Sequence, residues 1–159
     1  MRPSILAIVG PTAVGKSAVA ERLALALGGE VVSADSMQVY RGMDVGTAKT
    51  PPRDRLVPHH CLDLVDPGEP YSAALYQRDA RTAIADIAGR GLLPVVAGGT
   101  GLYVRAALDE MSFPAGAING ALRRDLERRL EEAGPEAMHA ELATTDPAWE
   151  KNTSQANVL

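Results

Sequence analysis

Runs of apolar residues alternate with segments of helical periodicity in the first hundred residues. Residues 5–9 form a β-branched-rich run that ends at Gly10-Pro11, which is typical of a buried parallel strand. Residues 16–27 lack a helix breaker and precede two glycines, and their apolar positions recur at helical spacing: Val19, Leu23, Ala26 and Leu27. A second apolar run follows over residues 30–35. This strand–helix–strand order predicts an α/β fold with a parallel sheet.

The pattern becomes irregular over residues 36–70, which are rich in proline and glycine; long irregular loops of this kind are usually functional. From the N-cap candidate Ser72 to Gly89, helical periodicity predicts a second, core-facing helix. Residues 92–97 read as another buried strand, followed at once by Gly98-Gly99-Thr100-Gly101. Strands therefore bring two glycine-rich turns to one edge of the sheet.

The last third of the chain predicts a helical segment rather than more sheet. Residues 121–133 form an exposed amphipathic helix, a short helix covers about 136–143, and residues 148–159 are expected to be a divergent, disordered tail. The expected domain organisation is a core over residues 1–112, a helical part over 113–147 and the tail.

Composition narrows the function classes. The 159 residues have 46% apolar side chains, enough for one core, and neither a membrane span nor a signal segment is visible, so we expect a cytoplasmic protein without membrane contact. A single Cys and three His supply a zinc cluster poorly. The net charge of −4 excludes a globally basic nucleic-acid surface but not a local cleft, and one Phe, one Trp and four Tyr are too few for an RRM-type stacking platform.

The strongest chemical signal is the segment 10–17, which matches G-x-x-x-x-G-K-S/T between a predicted strand and a predicted helix. Its backbone N–H groups and the helix dipole favour a diphosphate, Lys16 adds a point charge and Ser17 can bind Mg²⁺. The alternative is a chance glycine-rich turn. The motif indicates a phosphate ligand without specifying which one.

Two polar residues follow other strands at the same edge. Asp35 ends the second strand, beside the phosphate loop of the first, and could hold Mg²⁺ through water, act as a general base, or cap a turn. Thr100 could contact phosphate or nucleophile, or form a local hydroxyl turn.

The basic run around Arg123 contains three i,i+4 pairs of opposite charge: Arg123 and Glu127, Asp125 and Arg129, Arg128 and Glu132. Two interpretations are therefore open for this run, a solvated ion-paired helix face and a contact with a nucleic-acid backbone.

Segments 10–17, 33–49 and 98–103 together resemble the tRNA dimethylallyltransferase family, and the likeness extends from the first strand to about Pro147. The resemblance implies a P-loop NTPase-like parallel sheet flanked by helices, with a partial tRNA-binding insertion over residues 113–147. It also implies transfer of a dimethylallyl group from its diphosphate to the exocyclic amine of the adenosine just 3′ of the anticodon. The expected partners are Mg²⁺, dimethylallyl diphosphate and a tRNA anticodon stem-loop, bound by a monomer.

The resemblance also assigns roles to residues. Asp35 takes a proton from the attacking amine, with Thr100 near the reacting groups, and Ser17 binds the metal. The tRNA would be contacted by Asp35, Ser36, Met37, Gln38 and Arg123. The diphosphate would be held by Gly10, Thr12, Ala13, Val14, Gly15, Lys16 and Ser17.

Family members continue well beyond this length, so we expect weak diphosphate binding and poor or no transfer by the chain alone. Two other readings remain open: a P-loop small-molecule kinase that uses ATP, and an inactive diphosphate-binding remnant. The kinase reading leaves the segment 33–49 unexplained.

Overall fold

A computed structural model of the chain describes residues 4–113 and 120–147. The chain divides into two compact units between residues 112 and 113. None of the helices in the described ranges is both long and apolar enough to cross a membrane. The predicted tail, residues 148–159, lies outside the described residues.

The first unit is built on a parallel sheet, which confirms the predicted α/β class. Its described strands are β1 (Leu6–Val9), β2 (Gly29–Ser33), β3 (His59–His60) and β4 (Leu93–Gly98), arranged in the order β1-β4-β2-β3. All three pairings are parallel. Because the strands point the same way, the loops after β1, β2 and β4 open at one edge. The sequence did not predict that β4 lies between β1 and β2.

Helix α1 (Lys16–Leu27) has the predicted bounds but an unexpected orientation. The apolar positions that indicated the helix lie on its exposed side; Val19, for example, is 48% exposed and Leu27 56%. Its buried face consists of Ala20, Glu21 and Ala24. The two alanines pack against a cluster that includes Val31 and Val95, so small side chains allow α1 to lie close to the sheet.

Helix α2 (Ala73–Gly89) confirms the second predicted helix. Its N-cap is Ser72, whose Oγ accepts a hydrogen bond from the backbone N–H of Leu75 at 3.3 Å.

Two features of the first unit were not predicted. Helix α3 (Gly101–Leu108) begins inside the glycine-rich turn after β4, where the sequence indicated only a turn. The segment 36–70 is also more ordered than its composition suggests. It contains β3, a 3₁₀ turn at Pro52–Asp54 and a parallel bridge between Tyr40 and Val65.

The second unit contains helix α4 (Gly120–Thr145), interrupted at Gly134, where φ is 81° and Pro135 follows. This break matches the two predicted helices. The ion pairs of Arg123 with Glu127 and of Arg128 with Glu132 are present. The expected pair of Asp125 with Arg129 is wrong: Arg128 also binds Asp125, and Arg129 instead pairs with Glu141 across the break.

Candidate functional site

The phosphate-binding loop joins β1 to α1 at the carboxyl edge of the sheet. Gly15 takes the left-handed conformation, with φ of 83°, and forms the N-cap of α1, while Ala13 has φ of 66°. The Lys16 ammonium donates a hydrogen bond to the Pro11 carbonyl oxygen, which keeps its charge over the loop. Backbone N–H groups at a helix N-terminus and a nearby ammonium make a cradle for an anion.

The ends of β2 and β4 meet beside this loop. A Cβ atom at Gly98 would collide with the Ala34 carbonyl oxygen, so the close approach of the two strands requires glycine there. Ala34 N donates to Ala97 O at 2.8 Å, and Thr100 N donates to Ala34 O at 3.2 Å. Gly98, at the end of β4, therefore allows the strand ends to come into direct contact.

Asp35 and Thr100 both stabilise the backbone after β2. Asp35 Oδ1 accepts a hydrogen bond from Met37 N at 2.8 Å, which caps a turn. Thr100 Oγ1 accepts from Ser36 N at 3.1 Å and lies 3.3 Å from Ser36 Oγ. Thr100 thus fixes the residue that follows Asp35 and reaches across from the neighbouring strand.

The base of the site is supported by buried tyrosines. Tyr76 is fully buried, donates to Ser33 O at 2.9 Å and stacks on Tyr103, with ring centroids 4.0 Å apart. Because both rings lie in the core, they hold the end of β2 in place and are not available to stack on a ligand.

Gln38 connects β2 to the loop that closes the site. Ser33 Oγ donates to Gln38 Oε1 at 2.8 Å, and Gln38 Nε2 donates to Thr47 O at 2.9 Å. Thr47 Oγ1 in turn donates to Met43 O at 2.7 Å. This chain of hydrogen bonds fixes the distance between the strand end and residues 46–50.

A buried lysine holds the same loop from the other side. The Lys49 side chain is 3% exposed, and its Nζ lies 2.7 Å from Asp63 Oδ1 and 3.0 Å from Asp44 Oδ1. It also donates to Tyr40 O at 2.8 Å. Although burial opposes the charged form, the carboxylates of Asp63 and Asp44 raise the pKa of Lys49 above its ordinary value. Sequence reasoning did not single out this residue.

These elements enclose a cavity of about 600 Å³. It is lined by predicted site residues from two different strand ends and by residues of the closing loop: Thr12, Ala13, Gly15, Lys16, Ser17, Ala18, Glu21, Asp35, Met37, Gln38, Gly46, Thr47, Ala48, Thr50, Ala97, Gly98 and Gly99. The structure thus brings Asp35 and the phosphate loop to one cavity. Three other predicted site residues, Val14, Ser36 and Thr100, lie next to lining residues in the chain, whereas Gly10 is two residues before the first lining residue, Thr12.

A buried polar cluster behind the cavity was missed by sequence reasoning. Glu21 Oε1 lies 2.8 Å from His59 Nε2, but without hydrogen-bond geometry, and both atoms are buried without a hydrogen-bond partner. Burial raises the pKa of Glu21, opposed by the Thr50 side chain and the Arg55 charge. Burial, with the charges of Arg55 and His60, lowers the pKa of His59 to about 4. His59 is therefore neutral at pH 7.

The sequence His59-His60-Cys61 does not converge on one point. His59 lies against Glu21, whereas His60 Nε2 lies 2.7 Å from Glu30 Oε2. Burial raises the pKa of the Cys61 thiol to about 12, which keeps it protonated.

Arg123 lies in the second unit, on α4. Its side chain is 74% exposed and its Nε is 2.8 Å from Glu127 Oε1. This is the solvated, ion-paired arrangement that the spacing indicated.

Two family models match the chain. One described as IPP transferase covers residues 38–158, and one described as isopentenyl transferase covers residues 3–56. The tRNA dimethylallyltransferase of Thermomicrobium roseum is 52% identical over 158 residues, 99% of this chain and 48% of that protein. The tRNA dimethylallyltransferase of Roseiflexus sp. (strain RS-1) is 54% identical over 145 residues, 91% of this chain and 48% of that protein. The chain spans about half the length of the curated relatives it matches.

Solved structures of tRNA-prenylating enzymes are also similar to this chain. The full-length tRNA isopentenylpyrophosphate transferase of Bacillus halodurans superimposes with a TM-score of 0.69 at 42% identity, covering 99% of this chain and 52% of that one. A eukaryotic dimethylallyltransferase acting on tRNA gives a TM-score of 0.82 at 30% identity, covering 99% and 39%. These neighbours confirm the predicted P-loop NTPase-like architecture.

Proposed function

Because the chain belongs to the IPP transferase family, we propose that it takes part in the prenylation of tRNA. Its substrate would be dimethylallyl diphosphate, and the acceptor would be the exocyclic N6 amine of the adenosine 3′-adjacent to the anticodon. The observation that carries this proposal is the single cavity that both the phosphate loop and Asp35 line. An anion cradle and a carboxylate side by side suit a reaction that expels diphosphate and releases a proton.

The bonds, the electron pair and the proton of the proposed reaction can each be assigned to a group of the substrates or of the cavity. The N6 nitrogen forms a bond to the allylic carbon, and the bond from that carbon to the diphosphate oxygen breaks with its electron pair leaving on diphosphate. Asp35 accepts the proton that N6 loses. Lys16 and the N–H groups of the loop, including that of Gly15, stabilise the charge that grows on the leaving group.

The residues around the cavity fit Mg²⁺. Hard oxygen donors line it, namely the Ser17 hydroxyl and the carboxylates of Asp35 and Glu21. Residues 4–113 and 120–147 contain no cluster of three His, Cys, Asp or Glu side chains that could cage a metal. Mg²⁺ commonly uses one or two protein oxygens together with phosphates and waters. When bound, it would neutralise charge on the diphosphate, and Ser17 is the residue that we propose holds it.

The acceptor side of the proposal uses the segment after β2. Ser36, Met37 and Gln38 follow Asp35 directly, and Met37 is 47% exposed, so an extruded adenine could lie against it. Arg123 would contact the tRNA backbone from the second unit. Thr100 supports this segment through Ser36. We propose a monomer that acts in the cytoplasm, with residues 113–147 as part of the tRNA-binding region.

Two alternatives have different ligands or outcomes. A small-molecule kinase would share the phosphate loop but prefer ATP. An inactive remnant would bind diphosphate without transferring the prenyl group. Because the chain is about half as long as its relatives, transfer by this chain alone is part of what must be tested.

Thermal melts of the purified chain with Mg²⁺ separate these readings, since a ligand of the native state raises the melting temperature. Dimethylallyl diphosphate, pyrophosphate and ATP are compared at equal concentration, followed by a transfer assay with an anticodon stem-loop. The largest shift with dimethylallyl diphosphate and prenylated RNA would support the proposal. A shift with ATP alone would favour the kinase, and binding without transfer would favour the remnant.

A further inference from the structure

Glu21 has no part in the proposed reaction, yet it lies in the same cavity as the groups that do. Glu21 and Ser17 are four residues apart on α1, so they occupy one face of the helix in successive turns. Both line the cavity of about 600 Å³. An acidic residue on a helix ordinarily faces water, whereas the Glu21 side chain is 9% exposed.

The Glu21 carboxylate is incompletely satisfied by its surroundings. Its Oε1 atom is buried without a hydrogen-bond partner, although His59 Nε2 is 2.8 Å away. His59 Nε2 makes no hydrogen bond to it. The Arg55 charge favours the ionised form but is not hydrogen-bonded to the carboxylate, since Arg55 Nε donates to Thr50 O at 2.9 Å and Arg55 Nη2 is buried without a partner. A buried carboxylate oxygen without a partner is costly unless a cation or a polar ligand compensates it.

The cavity offers few carboxylates that could compensate the charge of such a cation. Among the lining residues only Asp35 and Glu21 carry carboxylates. Strand β4, the neighbour of the phosphate-loop strand, ends at Gly98 and is followed by Gly99 and Thr100, which supply no acidic group. If Asp35 accepts the proton, the remaining carboxylate that can compensate a divalent cation next to Ser17 is Glu21.

We propose that Glu21 is a positioning residue for the Mg²⁺ bound by Ser17, acting through a metal-bound water at the inner end of the diphosphate cavity. This inference rests on the proposed function, because it assumes a magnesium diphosphate in the cavity. It adds a residue from the second turn of α1 to a site otherwise formed by the first turn of that helix and by loops at the strand ends.

The test is pyrophosphate binding to the full chain by titration calorimetry, with Mg²⁺ and with excess EDTA. Glu21→Gln keeps the shape of the side chain and removes its charge. With Mg²⁺, affinity should fall at least about tenfold, as is usual when a group that orients a metal ligand is lost. With EDTA, affinity should be unchanged or higher, because a negative charge near the anion has been removed.

Matched variants separate this role from a packing role. His59→Gln removes the imidazole beside Glu21 but leaves the carboxylate, so its Mg²⁺-dependent affinity should stay within about twofold of the wild-type chain, well short of the loss on removing a group that orients a metal ligand. Glu21→Asp keeps the charge and should retain part of the Mg²⁺ dependence. Melting temperatures of all variants establish that each one is folded.

The outcomes are distinct. Equal losses with Mg²⁺ and with EDTA, or an unchanged Mg²⁺ dependence in Glu21→Gln, would overturn the assignment of Glu21 while leaving the proposed function intact. A loss in His59→Gln as large as that in Glu21→Gln would also overturn it. A wild-type chain that binds no pyrophosphate in either condition would overturn the proposed function, and this inference with it.

Discussion

Arg90 binds both carboxylate oxygens of Glu30, with Nη1 2.6 Å from Oε1 and Nη2 2.7 Å from Oε2. This pair joins the start of β2 to the end of α2, at the edge of the sheet opposite the cavity. His60 adds a third contact to the same carboxylate at 2.7 Å. The Arg90 hydrogen bonds outweigh burial and, with His60, lower the pKa of Glu30 to about 2.

Replacing this carboxylate should change the pH dependence of stability. We expect Glu30→Gln to lower the free energy of unfolding at pH 7 by about 1–3 kcal/mol, because charge-assisted hydrogen bonds are lost. Since the folded pKa of about 2 lies below the ordinary 4.5, the contribution of Glu30 is complete above the ordinary value and is lost as the pH falls toward the folded one. Urea unfolding should therefore show a steeper loss for the wild-type chain than for Glu30→Gln between about pH 5 and about pH 2.

Asp86→Asn is the control for the Glu30 variant. Asp86 is exposed and binds the same guanidinium at 2.9 Å, so its loss should cost no more than about 0.5 kcal/mol. If the free energy of unfolding fell in parallel for the wild-type chain and Glu30→Gln as the pH is lowered, a group other than Glu30 would control the loss of stability in acid.

Asp35 can be tested with two substitutions that separate its turn from its charge. Asn retains an oxygen that can accept from Met37 N, as Asp35 Oδ1 does at 2.8 Å, whereas Ala removes it. We expect Asp35→Asn to abolish prenyl transfer, because the proton acceptor is gone, and to leave pyrophosphate affinity with Mg²⁺ within about threefold, because a group needed only in the chemical step does not change binding.

Asp35→Ala should abolish transfer as well, and should also lower the melting temperature, because the turn loses its cap. Calorimetry and a transfer assay with a prenylated-RNA readout measure these effects. A large loss of Mg²⁺-dependent pyrophosphate binding in Asp35→Asn would instead identify Asp35 as a metal ligand.

The local parts of this architecture could be predicted from sequence, and the non-local parts could not. The strand over 5–9, the phosphate loop and the cap at Ser72 each depend on a few consecutive residues. The insertion of β4 between β1 and β2 is decided by pairing of strands more than 60 residues apart, for which no local pattern exists. In the same way, Glu21 and His59 are adjacent only after folding, and a helical glutamate by itself indicates a solvent-facing position.

Lys49 provides a test of how the closing loop is held. Lys49→Met keeps the length of the side chain but leaves Asp63 Oδ1 and the Tyr40 carbonyl without their donor. We expect a loss of about 2–3 kcal/mol in urea unfolding, because two oxygens lose a charged donor. Asp44→Asn is the matched control, since Asp44 is 65% exposed, and should cost less than about 1 kcal/mol. Similar costs for both variants would mean that Lys49 acts only as a surface ion-pair partner.

The two faces of α1 should respond oppositely to a lysine. Ala24 is fully buried against the sheet, so Ala24→Lys should cost more than about 3 kcal/mol, because it overpacks the core and buries a charge. Leu27 is 56% exposed, and Leu27→Lys should change the free energy of unfolding by less than about 0.5 kcal/mol. Urea unfolding of both variants measures the contrast. A cost for Leu27→Lys approaching that for Ala24→Lys would mean that the apolar side of α1 is covered in the folded chain.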